Sequence, residues 1–227
     1  FVPKSRATGY VPSPLDLSHV TPPVFLSAAG NRDAVLPSSY DLRTSGHITG
    51  VRDQNPYGTC WSFGAMASLE STFQKAGKGT FDFSEWHLAY FAYVDEKSSL
   101  PAFTQGDPGF GSDPIFDQGG NPMKATAILA RWTGAVSEED RPYQNVSPWP
   151  ESSRPLSSDP AAKRLENVYF LGGVTDAATV KNALMTYGAV PISMKWHNDF
   201  FSETYGSFYR PAEASDGGHC VTLAGWD

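Results

Sequence analysis

From Cys60 onward the apolar positions fall into a helical rhythm. Phe63, Met66, Ala67, Leu69 and Phe73 recur at three- and four-residue spacing, with Glu70 on the other side, and predict a helix over residues 60–74. Ser84 stands as an N-cap before Glu85, Leu88, Ala89 and Phe91, predicting a second helix. A third is expected over residues 123–132, stopped near Gly134, and a fourth over residues 177–187, ended by Gly188. The last third is richer in Val, Ile, Leu and Trp. It predicts strands over residues 168–171, 190–196 and 220–226. Helices in the first half and strands in the second imply an α+β fold in two lobes. Residues 1–35 are interrupted by prolines and favour an extended arm over a helix. Residues 95–122, dense in Gly, Pro, Asp and Ser, predict a long surface excursion, and residues 143–160 a further loop.

Composition narrows the function classes. At 227 residues the chain fits one large domain or two packed lobes. A net charge of -7 and the lack of a basic stripe argue against a nucleic-acid binder. No apolar run approaches the roughly 20 residues that cross a bilayer, so no transmembrane segment is expected. The opening residues carry no charged-then-apolar leader, so any export signal is expected to have been removed or left out. The two cysteines, Cys60 and Cys220, do not make a disulfide framework.

The stretch Gln54-Asn55-Pro56-Tyr57-Gly58-Thr59-Cys60-Trp61-Ser62-Phe63 carries the chemistry. A cysteine in the first turn of a helix has its thiolate stabilised by the helix dipole and unpaired backbone N–H groups. Gln54 is placed to fold back and set its amide beside the Cys60 N–H, giving two donors for an oxyanion. A cysteine alone reads more readily as a small buried core residue. The surrounding pattern favours the reactive reading.

That pattern resembles the active-site segment of the papain and cathepsin cysteine peptidases, in which a Gln precedes a Gly-Ser-Cys-Trp-Ala/Ser-Phe run. Leu36-Pro37-Ser38-Ser39-Tyr40-Asp41-Leu42-Arg43 and Val51-Arg52-Asp53-Gln54 resemble the family's mature N-terminus. Asp216-Gly217-Gly218-His219-Cys220, running on to Gly225-Trp226, resembles the histidine strand of cathepsin B. The resemblance implies a papain-like fold, with a helical left lobe, a β-sheet or barrel right lobe and the cleft between them. It implies a cysteine endopeptidase with Cys60 as nucleophile, His219 as general base and Gln54 in the oxyanion hole, needing no cofactor or metal. Gly119-Gly120-Asn121-Pro122 resembles the substrate groove: Gly119, Gly120 and Gly218 would meet substrate backbone, Asn121 and Pro122 would line the specificity pocket, and Met194 would face it from the opposite wall. Strand alternation turns Cys220 away from the cleft as a structural thiol, so no Cys60–Cys220 bridge is expected. His19, His47, His87 and His197 are expected at the surface or in packing.

Departures accompany the match. Tyr57 stands where the family carries a structural cysteine, so the loop before Cys60 must be held by packing. Cys60 and His219 lie further apart than the roughly 130–150 residues of the family, with the excess expected in residues 95–118. The chain stops at Asp227, before the family's Asn-Ser-Trp segment, so the domain 36–227 is expected to be incomplete at its C-terminus. Two other classes compete: an inactive papain-fold binding or scaffold protein, and a Cys-His acyl or amide transferase. The expected partner is a protein or peptide substrate, in a secreted or cell-surface or envelope setting. Residues 1–35 resemble a short retained propeptide, part of which would pack along or beside the cleft of its own chain; the competing reading is an ordinary N-terminal extension clamped to the outside of a lobe.

Overall fold

The computed structural model describes residues 9–15, 35–93, 115–171, 177–209, 211 and 217–227. The chain opens with a short strand β1 (Tyr40–Asp41), then the long helix α1 (Cys60–Lys75) and α2 (Glu85–Tyr90). After the described chain resumes come α3 (Pro122–Ala130) and α4 (Ala177–Tyr187). The strands β2 (Val190–Trp196), β3 (Phe201–Ser202), β4 (Ser207–Phe208), β5 (Gly217–Leu223) and β6 (Gly225–Trp226) close the order.

Helix α1 is the axis of the molecule. Its neighbours are α2 and α3 on one side and α4, β2 and β5 on the other. A helix enclosed in this way buries more than one stripe, and Cys60, Trp61, Met66, Glu70 and Ser71 are all buried. Each short helix begins at a residue suited to capping. Ser84 accepts the His87 N–H at 3.0 Å and opens α2, while Asn121 Oδ1 accepts the Lys124 N–H at 2.9 Å and opens α3 with Pro122 in its first turn.

The helical side is filled by aromatic side chains. Trp86 lies stacked on Phe116, and Tyr57, Tyr90, Tyr143 and Trp149 surround the pair. A smaller second core joins Leu42, Leu184 and Ala189 beneath Tyr40, Val190, Leu223 and Trp226. Among the described residues the strands form three antiparallel ribbons. The main one pairs β2 with β5 from Val190↔Leu223 to Trp196↔Gly217. The others pair β1 with β6 and β3 with β4.

Four predicted helices and two of three predicted strands are present within a few residues. The expected strand over residues 168–171 is absent: Val168 and Tyr169 are exposed, and Tyr169 rests on Tyr187 of α4. Most of the expected surface excursion lies outside the described residues. His87 is packed, fully buried against Phe91.

Buried carboxyl groups surround this frame. Burial lifts Glu85 from an ordinary 4.5 to about 8, with Arg52 opposing and Glu138 adding to the rise. Burial likewise lifts Glu138 to about 7, and presses His87 down to about 4. Carboxyls with raised folded values contribute stability that is full below their unfolded value and lost as the pH rises through the folded one. The neutral His87 works in the opposite sense, contributing above about 6.5 and losing that contribution as the pH falls through about 4. Thermal stability should therefore decline as the pH rises from about 4.5 towards 7 to 8, where the loss is complete, and Glu138→Gln should flatten that decline. Melting curves across this window test it, and equal slopes for both proteins would rule out Glu138 as a source.

Candidate active site

The loop before α1 is tied at every turn. The Tyr57 N–H donates to the Gln54 carbonyl at 3.1 Å, and Gln54 Nε2 donates to the Tyr57 carbonyl at 2.8 Å. The Tyr57 ring packs against both Trp86 and Phe116, and its hydroxyl donates to the Val146 carbonyl at 2.7 Å. Asp117 accepts the Gly58 N–H at 2.9 Å. Tyr143 Oη donates to the Gln54 carbonyl at 2.6 Å and meets the Thr59 hydroxyl at 2.6 Å. Packing around Tyr57 thus combines with a set of hydrogen bonds in place of a crosslink. Gln54 itself is buried, with its amide group inside this loop.

This loop delivers Cys60 to the first position of α1, where its side chain is 1% exposed. The Cys220 N–H donates to Cys60 Sγ at 3.3 Å, so the residue directly after His219 touches the sulfur. Burial pushes the Cys60 thiol above its ordinary value, while the N–H groups of Cys220, Gly9, Trp61 and Cys60 itself pull the other way. Cys220 is a different kind of thiol. Burial lifts it to about 12, and its sulfur faces α1, where a Cβ on Gly64 would lie only 2.9 Å away. Both cysteines are free.

His219 is half-buried on β5, directly across the ribbon from Met194. Its ring lies 5.3 Å from that of Trp196, tilted by 55°. On the other side of the cleft Gly119 has φ of 71°, a conformation open to glycine, and its carbonyl accepts the Tyr93 hydroxyl at 2.7 Å. Gly120 lies flat on the indole of Trp61, which a Cβ would strike at 2.3 Å. The Trp that follows Cys60 therefore forms the floor on which this glycine rests.

An extended piece of the arm already occupies this space. The Gly120 N–H donates to the Gly9 carbonyl at 2.7 Å, and the Val11 N–H to the Gly120 carbonyl at 2.9 Å, giving a parallel bridge centred on Tyr10. From the other wall, Gly218 accepts the Tyr10 N–H at 3.1 Å. Asn121 Nδ2 donates to the Val11 carbonyl at 2.9 Å. The structure thus gathers Cys60, Gly119, Gly120, Asn121 and Gly218 around one peptide segment, with His219 next to Gly218. Pro122 begins α3 behind them, and Met194 stands beside His219. Sequence reasoning missed Asp117, Trp196 and Gly9. Of these only Trp196 left a signal, as an aromatic two positions along from Met194 on a predicted strand. Among the described residues, no group of three or more His, Cys, Asp or Glu side chains could hold a metal.

Comparisons agree with this geometry. Residues 36–227 match the profile of papain family cysteine proteases. A cysteine protease of Blomia tropicalis is 26% identical over 199 residues, covering 84% of this chain and 53% of the relative. Cathepsin B-like cysteine proteinase 6 of Caenorhabditis elegans is 24% identical, covering 88% of this chain and 58% of the relative. A special nearness to cathepsin B receives no support from these values. The chain spans little more than half the length of these curated relatives. Among solved structures, the cysteine protease and lectin-like domains of Cwp84, a surface layer associated protein of Clostridium difficile, superpose with a TM-score of 0.67 at 26% identity, over 86% of this chain and 40% of that one. Cwp84 after propeptide cleavage gives 0.63 at 26% identity, over 83% of this chain and 43% of that one. With its reactive-type cysteine at a helix start, its paired glycines across the cleft and a profile match over the whole of 36–227, the chain belongs to the papain family of cysteine proteases.

Proposed function

We propose that the protein is a cysteine endopeptidase that hydrolyses peptide bonds through an acyl-enzyme on Cys60. The observation that carries this reading is the seating of residues 9–11 between Gly120 and Gly218, directly beside the Cys60 sulfur. A cleft that pairs with an extended backbone from both walls is built for peptides. His219 takes the thiol proton, and the thiolate of Cys60 attacks the peptide carbonyl. The oxyanion rests on the Cys60 N–H and on the side-chain amide of Gln54 after it turns from the Tyr57 carbonyl. His219 then protonates the leaving amine, and water releases the acyl group. Gly119, Gly120, Asn121, Pro122, Met194 and Gly218 hold the substrate.

The same reading makes residues 1–35 an inhibitory propeptide and the protein a zymogen. Gly9 supports this. A Cβ there would stand 1.8 Å from the Gly58 carbonyl oxygen, so only glycine passes so close to the loop before Cys60. Tethering gives the arm a high effective concentration, and four hydrogen bonds suffice to fill the groove. By resemblance, family propeptides cross the cleft in the direction opposite to substrate, which keeps the arm from being cut. Cwp84, a structural relative, has a propeptide that is cleaved. A secreted or cell-surface setting fits a peptidase held inactive until it reaches its substrates.

Three outcomes are expected. Cys60→Ala should abolish hydrolysis of a fluorogenic peptide and labelling by an epoxide thiol inhibitor, while still unfolding cooperatively; Gln54→Ala should lose roughly a hundredfold or more in rate. Turnover near the parent rate in Cys60→Ala would overturn the reading. Denatured, unreduced protein should take up two alkyl groups by mass, and a Cys60–Cys220 bridge would contradict the site. Finally, Gly9→Val or a chain starting at Leu36 should cleave the peptide faster and alkylate Cys60 faster than the full chain. Unchanged rates in an equally stable protein would end the inhibitory role.

A further inference from the structure

We propose that Trp196 is a positioning residue that holds the imidazole of His219 in its working orientation; this rests on His219 being the general base. The β2–β5 register sets Met194 opposite His219 and Trp196 opposite Gly217, so Trp196 is the diagonal neighbour of His219 on the same face. Diagonal cross-strand positions lie within reach of large aromatic side chains. The indole meets the imidazole at 5.3 Å and 55°.

What sets Trp196 apart from an ordinary strand aromatic is that it is itself held from several directions. Phe208 stacks on it almost parallel, at 4.5 Å and 9°. Phe201 meets it at 5.5 Å and 37°. Phe201 and Phe208 are cross-strand partners in the β3–β4 hairpin, so the hairpin places both rings against the indole. The indole N–H donates to Asn198 Oδ1 at 2.8 Å, in the turn between β2 and β3. That bond fixes the ring in its plane and removes its one donor from competition for the imidazole.

Histidine needs such a wall because its second side-chain torsion is broad and roughly two-fold, so strand geometry alone leaves the ring free to turn. An aromatic neighbour restricts that rotation without offering a hydrogen-bond acceptor, so it does not dictate which nitrogen carries the proton. The Phe201, Phe208 and Asn198 contacts thus form a rigid base for Trp196, and Trp196 forms one for His219. A misplaced general base affects proton transfer, so the consequence belongs in turnover more than in substrate affinity.

The test compares the full chain with Trp196→Leu and Trp196→Phe, all carrying Gly9→Val so that the arm does not govern turnover, each titrated for active sites with an epoxide and assayed on a fluorogenic peptide. Trp196→Leu should lose roughly tenfold to a hundredfold in kcat with KM little changed. Trp196→Phe, which keeps an aromatic wall, should recover most of that loss. Should Trp196→Leu fail to fold, Phe208→Leu removes the plate behind the indole and should give a smaller loss, again in kcat. An unchanged kcat in Trp196→Leu, a loss confined to KM, or no recovery in Trp196→Phe overturns the positioning role while the peptidase reading stands. A parent that neither hydrolyses the peptide nor takes up the epoxide even with Gly9→Val in place overturns both.

Discussion

The guanidinium of Arg52 fixes the frame on which the cleft is built. Its Nη1 lies 2.9 Å from both Glu70 of α1 and Glu85 of α2, and its Nη2 lies 2.9 Å from Asp82. Glu70 is fully buried and also accepts the Thr49 hydroxyl at 2.6 Å and the Phe83 N–H at 2.8 Å. One carboxylate therefore gathers the segment entering the site, the central helix and the approach to α2. Such a network does not promise net stability, because desolvation opposes the Coulomb gain. Its removal one partner at a time is costly, about 3–5 kcal/mol, since a charge is left buried alone. The network works chiefly as register. Arg52 stands two residues before Gln54, so anchoring it on α1 fixes where the next turn of chain must run.

From that anchor the site follows by short range. Between Gln54 and Thr59 the loop closes on itself, Asp117 holds Gly58, and Tyr143 bridges Gln54 and Thr59. The helix then starts with Cys60 facing the cleft and Trp61 facing α3, where its indole supports Gly120. Consecutive residues of one helical turn thus serve opposite walls. Replacing Trp61 would lower the floor of the groove without touching the thiol. The second wall depends on a single strand, β5, whose Gly218, His219 and Cys220 in turn meet the arm, Trp196 and the Cys60 sulfur.

Much of this was legible in the sequence because it is local. The periodicity after Cys60, the cap at Ser84, and the motifs around Cys60, Gly120 and His219 each lie within about ten residues. What could not be read joins distant positions. Asp117 reaches Gly58 across 59 residues, and Arg52 reaches Glu85 across 33. Neither pairing leaves a periodic trace. The strand expected over 168–171 failed for a related reason. Val, Tyr, Phe and Leu suit a strand, but a strand needs a partner, and this segment lies exposed beside α4. The short β1–β6 pair was missed because two residues are too few to show alternation. Tyr40 meets Trp226 there at 5.1 Å, two positions far apart in sequence that only the folded chain could bring together.

The state of Cys60 joins the two halves of the proposed function. A thiol sealed from water is held protonated by burial, and here that pressure exceeds the pull of the four surrounding N–H groups. One of those groups belongs to Gly9, so the arm both covers the sulfur and supplies a little of the polarity that would stabilise its anion. The balance favours cover. Withdrawal of the arm would cost one N–H and return solvent to the sulfur, and the desolvation that raises the thiol would fall with it. The donors from the helix start and from Cys220 belong to the domain itself and would remain. An extended arm running through Gly9 can thus restrain the nucleophile in two ways, by filling the groove and by keeping the thiol neutral. Both are relieved by the same movement.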